Sequence, residues 1–158
     1  MTKFQAWLGD SWKRLVKDYQ DNIFTPYNES DIVAHLYHTL ILYKPDDGWV
    51  NTQYGIGNSK IDLVLVRYID GEILPILPVE VKETSTASKT HNQVDRRIKK
   101  DVKKLLRHKT SLTSCTDTKP AMIFFYRGTE GRSLDPSTKK EMEKVQEMNP
   151  EIVFLWGP

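Results

Sequence analysis

The sequence predicts an α/β domain: a mixed β-sheet flanked by helices, with elements in the order ααβββαβαβ. Three observations carry this. Four segments repeat apolar residues at helical spacing, and five short runs are apolar, β-branched or aromatic in the manner of strands. Three of the strands come in succession, after which helix and strand alternate, and that order gives a mixed sheet with helices on both faces. At 158 residues, 39% hydrophobic and 28% charged, the chain is long enough for one well-cored domain and too short for two ordinary ones. Residues 1–158 therefore read as a single domain, with 1–27 an N-terminal helical extension and 28–126 the core.

Taken in order, residues 3 to 22 place Phe4, Trp7, Leu8, Trp12, Leu15, Val16 and Tyr19 on one side of a helix. Residues 23 to 27 connect it to a second helix, N-capped by Asn28, with Ile32, Val33, Leu36, Leu40 and Ile41 as its inward stripe. Pro45-Asp-Asp-Gly48 makes a turn into a first strand over 49 to 54, and Gly55 to Ser59 turn the chain into a second, 60 to 67. Asp70-Gly71 is the next turn, and the third strand runs from Leu74 to about Glu83. A polar loop, 84 to 92, leads to a helix over 93 to 108, carried by Val94, Ile98, Val102, Leu105 and Leu106. After a second polar loop come a fourth strand (121–126), a helix opened by Pro136 (136–148) and a last strand (152–156).

Composition bounds the function. A net charge of +2 does not announce nucleic-acid binding, so the distribution of charge has to be read locally. The one cysteine, Cys115, excludes an internal disulfide and a cysteine-rich zinc site. No apolar run approaches the roughly 20 residues of a membrane span, and Met1 to Gln5 lack the apolar stretch of a signal peptide. A cytoplasmic protein with no membrane partner is expected.

The chemistry concentrates in the second and third strands. Lys60-Ile-Asp62-Leu-Val-Leu-Val-Arg67 and Leu74-Pro-Ile-Leu-Pro-Val-Glu80-Val-Lys82-Glu83 are apolar runs with charges where none is expected. Alternation puts Glu80 and Lys82 on one face and Val79 and Val81 on the other, and if the two runs pair, Asp62 comes beside Glu80. Burying such groups without partners costs several kcal/mol, roughly, and a divalent cation would compensate.

The residues Gly57-Asn-Ser-Lys-Ile-Asp62 followed by Val79-Glu80-Val-Lys82 resemble the PD-(D/E)xK nuclease superfamily, and the resemblance spans about residues 29 to 126. Its common core is αβββαβ, an order contained in this chain. Ile61 stands where the motif has its proline. The resemblance implies a restriction-endonuclease-like fold and a metal-dependent endonuclease, with Asp62, Glu80 and Lys82 as acid, acid and lysine. Phosphodiester hydrolysis suits magnesium, with manganese as a substitute: it binds one or two carboxylates, retains waters and takes substrate phosphate. Asp62 and Glu80 would hold it, the Val81 backbone carbonyl would offer a third oxygen, and Lys82 would orient or deprotonate the attacking water. The structural alternative is an ion pair of Lys82 with Asp62 or Glu80. In many superfamily members an acid in the helix before the first strand completes the metal site, which makes Glu29 a candidate ligand. Its alternative role is to favour the helix dipole at the first turn, where Asp31 holds the capping-box position.

The helix after the site carries Arg96, Arg97, Lys99, Lys100, Lys103, Lys104, Arg107 and Lys109 against Asp101 alone, a basic stripe suited to phosphate contacts. Lys89, Asn92, Arg96, Arg97, Lys100, Lys103 and Lys104 are the candidate nucleic-acid contacts, set against the plain reading of a solvated face. His35 and His38 lack a matching ligand nearby and read as packing or surface residues rather than a zinc site. DNA is the expected partner, in preference to RNA, on superfamily grounds. Cutting both strands would call for a homodimer, and a compact chain would be directed by DNA structure or by a targeting partner protein. The alternative from another class is a noncatalytic nucleic-acid-binding or assembly subunit that keeps the fold.

Overall fold

The computed structural model describes residues 2–85, 91–111, 118–127 and 136–158. Among these, four helices and five strands follow the expected order: α1 (Lys3–Gln20), α2 (Glu29–Leu42), β1 (Gly48–Ile56), β2 (Ser59–Ile69), β3 (Glu72–Ser85), α3 (His91–Ser111), β4 (Ala121–Arg127), α4 (Pro136–Met148) and β5 (Val153–Gly157).

Local chemistry fixes the boundaries. Thr2 and Asn28 open α1 and α2 with reciprocal capping boxes, closed by Gln5 and Asp31. Helix α1 stops two residues short of the expected end because Asn22 enters the left-handed region (φ 60°) and Ile23 N–H folds back onto the Asp18 carbonyl at 2.8 Å. Asp70 and Gly71, with φ of 51° and 85°, make the tight turn between β2 and β3, and pairing continues out to Ile69↔Glu72. Those last residues are solvent-exposed, so backbone pairing rather than burial extends the hairpin. Helix α3 runs on to Ser111, where the Thr110 and Ser111 hydroxyls donate to the Arg107 carbonyl at 2.7 and 3.1 Å.

The sheet is open and mixed, in the order β1-β2-β3-β4-β5. The first three strands are antiparallel neighbours; β3, β4 and β5 are parallel. One face is covered by α1 and α2, whose Phe4, Leu15, Ile32 and Leu36 share a core with Leu65, Val79, Val81 and Phe125. On the other face Ile98, Val102 and Leu105 of α3 and Met142 of α4 pack with Met122, Phe124 and Phe154. The two outer helices on the first face are also tied by polar contacts. Trp7 Nε1 donates to the Leu40 carbonyl at 3.0 Å, and buried Asp18 meets Arg14 and His35 at 2.8 and 2.9 Å. His35 also stacks on Phe24 with ring centroids 4.1 Å apart, so it belongs to the packing. No helix among the described residues is long and apolar enough to cross a membrane.

Phe125 is fully buried, and its ring packs nearly perpendicular to those of Trp12 and Tyr19 at centroid distances of 6.1 and 5.0 Å. Phe125→Ala should therefore lower the unfolding free energy by about 3–5 kcal/mol. Urea denaturation reads this directly, and a loss below about 1 kcal/mol would contradict the packing described.

Candidate active site

Strand β3 changes partner part-way along. Residues Glu72 to Val79 pair with β2, and residues Val79 to Ser85 pair with β4. Pairing of β2 with β3 ends at Leu63↔Val79, while β2 stays on β1 through Ile61 and Lys60. The sheet forks at that point, and Asp62 and Glu80 are the first residues past the split. The distortion reaches β1 as well. Gln53 lies between the pairs Thr52↔Leu63 and Tyr54↔Ile61, out of the ladder, with φ of 51°. Left-handed backbone in a residue with a side chain costs about 1–2 kcal/mol. Asp62 repairs part of the gap: its carboxylate accepts the Val81 N–H at 2.9 Å, a job otherwise done by a ladder carbonyl.

Alternation along β3 turns Val79 and Val81 into the core under α1 and α2, and turns Glu80 and Lys82 toward α3. Glu80 is 1% exposed and forms an ion pair with Lys104. Lys82 Nζ lies 3.3 Å from Glu29, 3.7 Å from Asp101 and 4.0 Å from Glu80. Four elements thus meet at the fork: the first residue of α2, Asp62 of β2, the charged pair of β3, and an inward Asp101–Lys104 pair one turn apart on α3. Four carboxyls (Glu29, Asp62, Glu80, Asp101) face two ammoniums (Lys82, Lys104).

The charges act on each other. Burial pushes the Glu80 carboxyl up to about 7, and the neighbouring Asp62 charge adds to this, against the pull of Lys104 and Lys82. Burial disfavours the Lys82 ammonium, yet Glu29, Asp101, Glu80 and Asp62 together outweigh it and raise its pKa above the ordinary lysine value. Lys82 remains charged.

Among the described residues no three Asp, Glu, His or Cys side chains form a ready-made metal cage. The donors at the fork are the two carboxylates of Asp62 and Glu80, which fit a hard cation whose other ligands are waters and phosphate. Glu29 joins the cluster through Lys82, and the contact at Val81 is made by its N–H.

The basic helix divides in two. Lys99, Lys100, Lys103 and Arg107 are exposed, whereas Lys104 faces inward onto Glu80. Asn92, Arg96 and Arg97 lie on α3 with side chains outside those described; Lys89 and Cys115 lie outside the described residues altogether. Two members of the site are new. Asp101 stands three residues after Ile98 and four before Leu105, on the helix's inward face, a position the apolar stripe reveals. His108, also inward, is buried with its Nε2 2.7 Å from the Ser59 hydroxyl, pinning α3 to the β1–β2 hairpin. Burial, then Lys104 and Arg107, hold its pKa below the ordinary value.

The chain matches no protein-family model, no curated protein and no solved structure.

Glu80 has a consequence for stability. Its carboxyl keeps a proton up to about 7 in the folded chain, against an ordinary value of 4.5. The native state therefore binds more protons than the unfolded chain in that window, and stability falls as pH rises through it. In EDTA, the wild type should lose about 2–3 kcal/mol relative to Glu80→Gln between pH values of about 4.5 and 7.5. Denaturation curves across that range test it; parallel pH profiles for the two proteins would refute it.

Proposed function

We propose that this chain is a magnesium-dependent endonuclease of the restriction-endonuclease-like fold that hydrolyses phosphodiester bonds in DNA. The observation that carries the reading is the fork, where Asp62 and Glu80 converge with Lys82. Asp62 and Glu80 would hold Mg²⁺, or Mn²⁺ in its place. Bound there, the metal would lower the pKa of water and polarise the scissile phosphate.

The chain's own residues divide the remaining work. Asp62, held by the Val81 N–H, keeps a fixed oxygen at the fork. Lys82 is an ammonium held by acidic neighbours, so its part is to orient the attacking water and to offset charge building on the phosphate, not to take the proton. The exposed Lys100 and Lys103 of α3 supply phosphate contacts beside the site. The choice of DNA rests on the resemblance of the acid–acid–lysine pattern to the nuclease superfamily.

A second reading draws on a specific contact. Lys104 already neutralises Glu80, as it would in a noncatalytic nucleic-acid-binding or assembly subunit that kept the fold.

Labelled duplex, single-stranded, flapped and four-way DNA, with RNA alongside, separate the two when incubated with Mg²⁺, Mn²⁺ or EDTA. The nuclease cuts at least one DNA only with metal, and Lys82→Ala cuts it about 10²–10⁴-fold more slowly. Salt-sensitive binding without cutting of any substrate would favour the binding subunit. Metal binding also requires Glu80 to give up its proton. With its carboxyl at about 7, Mg²⁺ affinity and cleavage should both climb as pH rises from about 6 to 8. A rate flat across that interval would be inconsistent with Glu80 as a ligand.

A further inference from the structure

We infer that Lys104 is a built-in counter-cation that the divalent metal displaces from Glu80, and that its release adds an ammonium to the phosphate-binding face of α3. The inference deepens the proposed function and rests on Asp62 and Glu80 as the metal carboxylates.

The two partners of this ion pair are unequal. Glu80 is 1% exposed on a central strand, fixed in direction by β3 and closed off from water. The Lys104 side chain is 26% exposed, on a helix surface, with a flexible four-carbon stem. When a dication takes the carboxylate, the lysine is the partner with somewhere to go. Lys82 is not. It is 16% exposed and held by Glu29, Glu80 and Asp101 together, whereas Lys104 has Glu80 as its one acidic partner among the described residues. One lysine is pinned and the other is exchangeable.

Helical spacing says where the released side chain goes. Lys100, Lys104 and Arg107 stand at i, i+4 and i+7, one stripe along α3, and Lys100 and Arg107 are exposed. Turned inward, Lys104 leaves a gap in that stripe. Turned outward, it closes the gap and gives the helix another phosphate contact. Loading the metal would thus strengthen DNA binding, and by linkage DNA would strengthen metal binding to the same degree.

Titration calorimetry with Mg²⁺ alone, at about pH 9 so that Glu80 is ionised in each protein, compares wild type, Lys104→Met and Lys103→Met. Lys103→Met removes an exposed charge beside the site without touching Glu80, and so measures the general electrostatic effect. Lys104→Met should bind Mg²⁺ about tenfold more tightly than wild type, and Lys103→Met within about twofold. A second measurement uses the wild type alone: acylation of Lys104 by an amine-reactive reagent, read by mass spectrometry, should speed up several-fold, roughly, on saturation with Mg²⁺. Equal Mg²⁺ affinity in wild type and Lys104→Met, or Lys104 reactivity unmoved by Mg²⁺, overturns the inference even if the protein cuts DNA. Tight Mg²⁺ binding with Lys104 released but no cutting would overturn the nuclease reading and leave the displacement standing. No Mg²⁺ binding by any of the three proteins overturns both.

Discussion

A carboxylate at the centre of a sheet covered on both faces is the constraint on which this structure turns. Glu80 is 1% exposed, and an ion in that position without compensation would cost several kcal/mol, roughly. Three responses meet that cost: burial raises the carboxyl to about 7, Lys104 reaches in from α3, and Lys82 stands two residues along the same strand face. Each response commits a further group. Lys82 brings Glu29 and Asp101, and Lys104 fixes which face of α3 meets the sheet. The α3–β3 interface is thus apolar at Ile98, Val102 and Leu105 and ionic at Asp101 and Lys104.

The fork has its own cause in topology. Strand β3 is the junction between an antiparallel half and a parallel half of the sheet, and it hands over from β2 to β4 at Val79. A strand that served both neighbours along its whole length would hold residue 80 between two ladders. The handover instead separates β2 from β3 where the two acids stand, and Asp62 spans the gap to the Val81 N–H. Gln53, in left-handed backbone opposite the same position, shows that the distortion extends across β2 to the edge strand. Strain of this kind persists where the surrounding ladders over-determine it. Here the pairs on either side of Gln53 do so.

Much of this was legible in the residues. The element order and the placing of Glu80 with Lys82 opposite Val79 with Val81 follow from periods of 3.6 and 2, and the Asp70-Gly71 turn follows from its chemistry. Asn28 and Asp31 announced the start of α2 through the capping box. The fork was not legible, because alternation reports which face a side chain takes and is silent on where a ladder ends. Lys104 was misleading for a different reason. It sits in a run of basic residues, and a charge count treats the run as one stripe. Asp101 and His108 in fact fall on the side that carries Ile98 and Leu105, and Lys104 stands at its border with the exposed stripe, so the polar members of the inward face had to be found by phase rather than by charge.

The charge balance bears on what such a site is for. Ion pairs retained only to hold α3 against the sheet would gain nothing from a surplus of one sign, since each unpaired buried charge is a net cost. Around the fork, Lys82 and Lys104 face the carboxyls of Glu29, Asp62, Glu80 and Asp101, and Glu80 relieves part of the imbalance by keeping its proton up to about 7. Two of those carboxylates, Asp62 and Glu80, share the fork closely enough for Asp62 to raise the Glu80 carboxyl. A hard dication asks for one or two carboxylate oxygens, with the rest of its shell from water and phosphate. Under the proposed function, a dication would take the place of that proton and supply positive charge at the same two carboxyls.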